Sequence, residues 1–161
     1  MSGELTAEQG TERGPVSFPP PLVYVAGLLL GWGAEIVAPT PNLPSRLAWT
    51  AVAVAIVASI ALDIGASRLF LQRRTGIAPW TAATNLVTDG PYRVTRNPMY
   101  LGMAFLYLGV ALGLGLLWGL AAFPVVIAVI DRAVIRREEA YLEAKFGAAY
   151  DDYRSRVRRW I

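Results

Sequence analysis

The sequence predicts an all-α integral membrane protein of about four transmembrane helices, closed on its cytoplasmic side by a C-terminal helical cap. Three observations carry that expectation. Hydrophobic residues make up 55% of the 161 positions and mean hydropathy is +0.42, far more apolar than a soluble domain of this size. The apolar residues come in blocks, Leu22–Ala38, Leu47–Leu62 and Tyr100–Ile130, the last with no charge at all. The basic residues flank those blocks instead of forming one stripe, so a net charge of +3 reads as membrane orientation and not as nucleic-acid binding.

Residues 1–18 are polar, carry Glu4, Glu8 and Glu12, and end in Phe18-Pro19-Pro20-Pro21. They read as a disordered tail running into a stiff helix start. A secretory leader would open on basic residues, so the first apolar block is expected to be a retained span. Residues 19–161 then form a single domain. Its first span covers about 22–38 and stops at Pro39-Thr40-Pro41-Asn42-Leu43-Pro44. The second covers about 47–71, with Asp63 and Arg68 on its last turns.

As one helix, Tyr100–Ile130 would measure ~46 Å against a hydrocarbon core of ~30 Å. Two spans, about 98–113 and 115–136, are more economical, with the reversal at Gly113-Leu114-Gly115 and a kink at Pro124. Arg68, Arg73, Arg74, Arg93 and Arg96 lie between spans two and three, and Arg132, Arg136 and Arg137 follow span four, whereas the other side offers Arg46. The long connector and both termini are therefore expected in the cytoplasm, the membrane being the inner one if the source is bacterial. Beyond the spans, residues 132–161 are expected as cytoplasmic helices. Arg132–Phe146 reads as an amphipathic helix ended by Gly147, and Ala148–Ile161 as a short one whose Arg158-Arg159-Trp160-Ile161 end suits a membrane surface.

The chain has no histidine and no cysteine. That excludes a Ser-His-Asp triad, a thiolate nucleophile, and metal or haem ligation by either residue. Chemistry must rest on carboxylates, tyrosines, arginines, backbone groups or a bound cofactor. The densest such stretch is Leu86–Gly102, which sets Arg93, Arg96, Tyr92 and Tyr100 among two proline-containing turns directly before the long apolar run. A polar turn at a membrane boundary is where a water-soluble cofactor can meet a lipid-borne substrate. Asn97-Pro98 should start the third span, with Asn97 as N-cap and the first N–H groups open to an anion. Glu138 and Glu139 follow the fourth span, so the membrane hairpin should bring them face to face with that turn. Glu35 and Asp63 sit in or near spans, but close enough to their ends to reach the interface, and are left out of the site.

Taken together, these residues resemble the membrane methyltransferases of the isoprenylcysteine carboxyl methyltransferase and phospholipid N-methyltransferase group. The resemblance covers about residues 75–161. It runs through Leu86-Val87-Thr88-Asp89-Gly90-Pro91-Tyr92, then Arg96-Asn97-Pro98-Met99-Tyr100, then Glu138-Glu139, Phe146-Gly147 and Tyr150-Asp151-Asp152-Tyr153. It implies S-adenosylmethionine as cofactor. Thr84, Asn85, Leu86 and Val87 would line its adenosine side with Tyr92 close by; Asn97, Pro98, Met99 and Tyr100 would hold its methionine end; and Glu138 would take its amino or ribose groups. Arg137 and Glu139 are the candidates for a catalytic role. The substrate would be a lipid or hydrophobic small molecule, methylated on a carboxylate or an amine, entering sideways from the bilayer. Two positions depart from the group's pattern: Asn97 stands where a histidine is usual, and Val134 where the prenylcysteine enzymes place an arginine. A sterol-reductase-like enzyme using NADPH and a non-catalytic membrane scaffold are the alternatives.

Overall fold

Pro19, Pro20 and Pro21 have no amide hydrogen to leave unpaired, and the Leu22 and Val23 amides close back on the Pro19 and Pro20 carbonyls to start the first helix. From there the computed structural model is all-helical, with no strand among the described residues, 15–41, 45–76 and 81–161. Helices α1 (Pro21–Val37), α2 (Ser45–Gln72), α3 (Pro98–Gly113) and α4 (Leu117–Ile130) carry the apolar blocks. A π-helical turn, Asp131–Ile135, runs α4 into α5 (Arg136–Phe146), and α6 (Ala148–Arg156) follows Gly147. The tail over residues 1–14, part of the proline-rich turn (42–44) and the Arg46 side chain lie outside the described residues.

The hairpin between α3 and α4 forms at Leu114–Leu116. Gly115 sits at φ +67°, a conformation that costs a side-chain-bearing residue most, and the Leu116 amide reaches back to the Ala111 carbonyl. Helices α2 and α3 pack along their length, and α1 packs on α4. Small residues set the spacing: a Cβ on Gly31 would stand 2.5 Å from the Gly119 Cα. Such close approach is how helices bind one another where lipid removes the hydrophobic drive between them. Tyr107, 1% exposed, crosses this contact and donates to the Gly119 carbonyl at 2.7 Å.

The outward faces are apolar. Leu30, Val57 and Val125 are 73%, 67% and 65% exposed, which a water-facing surface would not tolerate over three helices. The uninterrupted helices Trp49–Gln72 and Leu117–Phe146 are long and apolar enough to cross a bilayer; Pro21–Val37 and Pro98–Gly113 are shorter apolar helices.

Two segments differ from the sequence reading. Residues 15–18, assigned to the tail, are packed, with Val16 fully buried in the same core as Tyr24, Tyr100 and Ile130. Helix α6 stops at Arg156 instead of continuing to Ile161. The last residues are extended because the carbonyls of Arg158 and Arg159 are held by groups of the Thr95–Asn97 turn, and Trp160 packs against the core instead of meeting a membrane surface.

Candidate functional site

At the end of the bundle where α2 stops and α3 starts, the chain between them folds as a cover over a cleft. The loop is stitched to the end of α2: the Thr84 amide donates to Thr75 Oγ1 (2.9 Å), the Thr84 hydroxyl to the Arg74 carbonyl, and Asn85 Nδ2 to the Arg73 carbonyl (2.8 Å). Asp89 pairs with Arg73 and Arg93 at the edge of the following 3-10 turn, Gly90–Arg93. Gly90 is required there twice over, by φ +57° and because a Cβ would lie 2.9 Å from Leu69. That turn buries Tyr92, whose ring meets Phe70 edge-on and whose carbonyl accepts from the Tyr153 hydroxyl of α6 at 2.8 Å. Burial pushes the Tyr92 and Tyr153 hydroxyls well above their usual pKa, so both stay neutral donors.

From the other side come α5 and α6. The π-helical turn buries Val134 and Ile135 in the core and resets the register, after which Glu138 and Glu139, adjacent in sequence, both line the cleft. The Tyr100 hydroxyl donates to Glu138 Oε1 at 2.6 Å, while the Tyr24 hydroxyl holds the Tyr100 carbonyl. Glu138 lies beyond the apolar part of its helix, which closes at Ile135. Burial, reinforced by the neighbouring Glu139 charge and opposed by the Tyr100 hydrogen bond, raises its carboxyl to about 7. Glu139 is taken up differently. Arg96 Nη2 reaches its Oε1 at 2.9 Å and Arg159 grips both its oxygens, with Asp131 as second partner to Arg159.

The cleft between these elements is open at its mouth and has a cavity volume of about 140 Å³. Phe70, Leu86, Val87, Met99 and Leu142 give its lining an apolar share, and Arg96, Tyr100, Glu138 and Glu139 a polar one. A family model for phospholipid methyltransferases matches residues 47–149, which contain nearly all of these groups. The chain belongs to the phospholipid methyltransferase family. Sixty-three residues, 39% of the chain, are 41% identical to an uncharacterised protein of Haemophilus influenzae over that protein's whole length. Seventy-two residues, 45% of the chain, are 39% identical to the protein-S-isoprenylcysteine O-methyltransferase of Schizosaccharomyces pombe, of which they span 30%.

In this member of the phospholipid methyltransferase family, the expected site residues divide. Asn85, Leu86, Val87, Tyr92, Asn97, Met99, Tyr100, Glu138 and Glu139 line the cleft. Thr84, Pro98 and Arg137 do not. Thr84 is spent on bracing the loop, Pro98 is fully buried as the first residue of α3, and Arg137 is exposed. Asn97 stands at the N-cap position without capping, because its Nδ2 donates to the Arg159 carbonyl at 2.9 Å. Its backbone amide goes to Thr95 Oγ1. Glu139 lies in the cleft but is held by two arginines, which suits a structural strut better than a proton carrier.

Sequence reading missed Arg96, Tyr141 and the docking of the C-terminal segment. Tyr141 offers its hydroxyl to the Ala83 amide at 3.2 Å and so ties the loop to α5. Arg96 was quoted as part of the Arg96-Asn97-Pro98 motif, but nothing in a linear pattern says that it turns inward. Val134 is fully buried and does not line the cleft; of the arginines near it in sequence, Arg136 pairs with Asp131, and Arg132 and Arg137 are exposed. The cleft's arginine is Arg96.

Proposed function

We propose that this chain is an S-adenosylmethionine-dependent methyltransferase acting on a membrane-associated lipid or small molecule, through a cleft at the cytoplasmic ends of four spans. The observation that carries the reading is the juxtaposition just described. A family-matched segment closes a cleft lined by apolar side chains together with an acid, an arginine and a tyrosine. That donor set suits the cofactor, whose adenosine is flat and largely apolar and whose methionine end carries both an ammonium and a carboxylate. Leu86, Val87 and Met99 would face the adenosine side, with Asn85 at its edge. Glu138 would accept from an amino or hydroxyl group, oriented by the Tyr100 hydroxyl.

When bound, S-adenosylmethionine supplies a methyl group already activated on a sulfonium. Moving it needs alignment and exclusion of water more than a strong base, so a chain without histidine is adequate to the task. The residues around the cleft serve those two needs. Tyr153 and Tyr141 pin the loop from α6 and α5, and the docked C-terminal segment immobilises the Thr95–Asn97 turn. The acceptor, carboxylate or amine, would approach from the bilayer beside α2 and α3.

Calorimetric titration of the detergent-purified protein with S-adenosylmethionine, against NADPH as control, tests the reading. Saturable binding of the first alone supports it. Binding of NADPH alone moves the chain to the reductase alternative, and binding of neither in folded protein leaves a membrane scaffold. Topology is tested separately. Because the chain has no cysteine, Asp152→Cys should react with an impermeant reagent from the cytoplasmic side and Ala38→Cys from the opposite side.

A further inference from the structure

Arg96 has a side chain nine-tenths buried, at 10% exposure, in the wall of the cleft. Its Nη2 is committed to Glu139 at 2.9 Å. Among the described residues its Nε and Nη1 have no hydrogen-bond partner. A guanidinium cannot shed its proton to escape this situation, and a buried donor left unmade is destabilising. The chain nevertheless holds the group in place. The Arg96 amide donates to the Arg158 carbonyl at 2.9 Å, Thr95 and Asn97 on either side are tied to the Arg159 carbonyl, and Glu139 is in turn fixed by Arg159. A side chain braced from three directions with two donors unmatched is arranged for something that enters the cleft.

We propose that Arg96 is an anion clamp that offers its unmatched Nη1 edge to a carboxylate in the cleft. The group is permanently charged and that donor has no partner among the described residues, which suits the single charge of a carboxylate. A phosphate dianion fits less well, because Glu138 and Glu139 line the same cleft and would repel the second charge. Two carboxylates could fill it, that of the cofactor's methionine end and that of a carboxylic acid acceptor. The inference rests on the methyltransferase reading only for the first of these.

The experiment uses the full chain in detergent and two ligand pairs, each differing in one carboxylate: S-adenosylmethionine with its decarboxylated analogue, and a long-chain fatty acid with its methyl ester. Affinities are measured by calorimetry for the wild type, Arg96→Gln and Arg132→Gln, the last an exposed arginine that does not line the cleft. Arg96→Gln should weaken the carboxylate-bearing member of one pair by roughly tenfold or more and leave its partner unchanged, while Arg132→Gln keeps both. Selective loss in the first pair assigns the clamp to the cofactor, and in the second to the acceptor. If Arg96→Gln does not fold, Arg96→Lys keeps the charge beside Glu139 but removes the Nη1 donor, and the same selective loss is expected. Equal weakening of both members of a pair, or no weakening in either pair, overturns the clamp. A wild type that binds the fatty acid but not S-adenosylmethionine overturns the methyltransferase reading alone, and one that binds neither carboxylate overturns both.

Discussion

Glu35 and Glu138 sit beyond opposite ends of α4, and each is an acid at the edge of an apolar helix, but they are used in opposite ways. Glu35 is closed. Its carboxylate accepts from the Thr40 amide (3.0 Å), the Thr40 hydroxyl and the Trp118 amide (3.1 Å), so it terminates α1 and caps the start of α4 at once. Trp118 completes that end by donating its indole N–H to the Ala38 carbonyl. Glu138 is open. Among the described residues it has one partner, the Tyr100 hydroxyl, and it faces a cleft that also holds two unmatched donors of Arg96. Asp63 stands between the two cases: Ser59 donates to one of its oxygens at 3.4 Å, the other is unpartnered, and it lies where α2 meets Gly102 of α3, away from the cleft lining. An acid near a membrane is thus a default candidate for function, but the completeness of its hydrogen bonds separates a fastener from a binding group.

The largest expected effect that would break this comparison is on Glu138. Replacing it by alanine removes a charged acceptor from the cleft, and S-adenosylmethionine affinity should fall on the order of tenfold to a hundredfold, about 1.5–3 kcal/mol. Membrane insertion and helix content by circular dichroism should not change. Unaltered affinity in calorimetry would remove Glu138 from the site.

A second expected effect follows from the proton on Glu138. Its carboxyl is raised to about 7 in the folded chain, so the neutral form is favoured, and the stability this contributes is complete below the unfolded value near 4.5 and is lost as pH rises through 7. A ligand offering an ammonium or hydroxyl wants the ionised form. Affinity should therefore rise with pH, by about tenfold between pH 6 and pH 8, with proton release into buffer at pH 7. Glu138→Gln should abolish both the slope and the release; a slope that survives would place the titrating group elsewhere.

Much of the fold could be read from punctuation. Pro98 opens α3, and Gly113 to Gly115 closes it and turns the chain, because each of these residues restricts or frees the backbone locally. What could not be read was long-range. The Asn97 amide was expected to cap α3 and instead serves Arg159, sixty-two positions away. Val16, expected in the tail, is in the core, and Trp160, expected at a membrane surface, packs against it. The same holds for the site. Asn85 to Val87, Tyr92, Tyr100 and Glu138 could be gathered from a motif, because its elements lie in order along the chain. The inward turn of Arg96 and the outward turn of Arg137 depend on a π-helical register shift and on a docked terminus, and neither leaves a local signature.

Tyr100→Phe keeps the ring, and the backbone carbonyl that Tyr24 holds, and deletes only the hydroxyl on Glu138. Affinity should drop a few-fold, in keeping with about 1 kcal/mol for one hydrogen bond. The Glu138 carboxyl should titrate higher still, since the one contact that favours its ionised form is gone. The variant sharpens the comparison because it separates orienting the acid from supplying it. A loss as large as that of Glu138→Ala would mean that Tyr100 itself touches the ligand.

Glu35→Gln should show the smallest effect on binding, under twofold, and its value lies in where the effect does appear. The Thr40 and Trp118 amides reach different carboxylate oxygens, so the single carbonyl of the glutamine amide can keep one of them, and without charge. Charged acceptors at the start of a helix gain about 0.3–1 kcal/mol from the aligned peptide dipoles, and that is the stability the substitution should remove, read as a small fall in the thermal midpoint in detergent. If binding falls while the midpoint holds, the closed end is coupled to the open one through α4 and its π-helical turn, and the division of labour between the two glutamates fails. If the midpoint falls and binding holds, the two ends are independent, as expected of a carboxylate whose partners all lie within the protein.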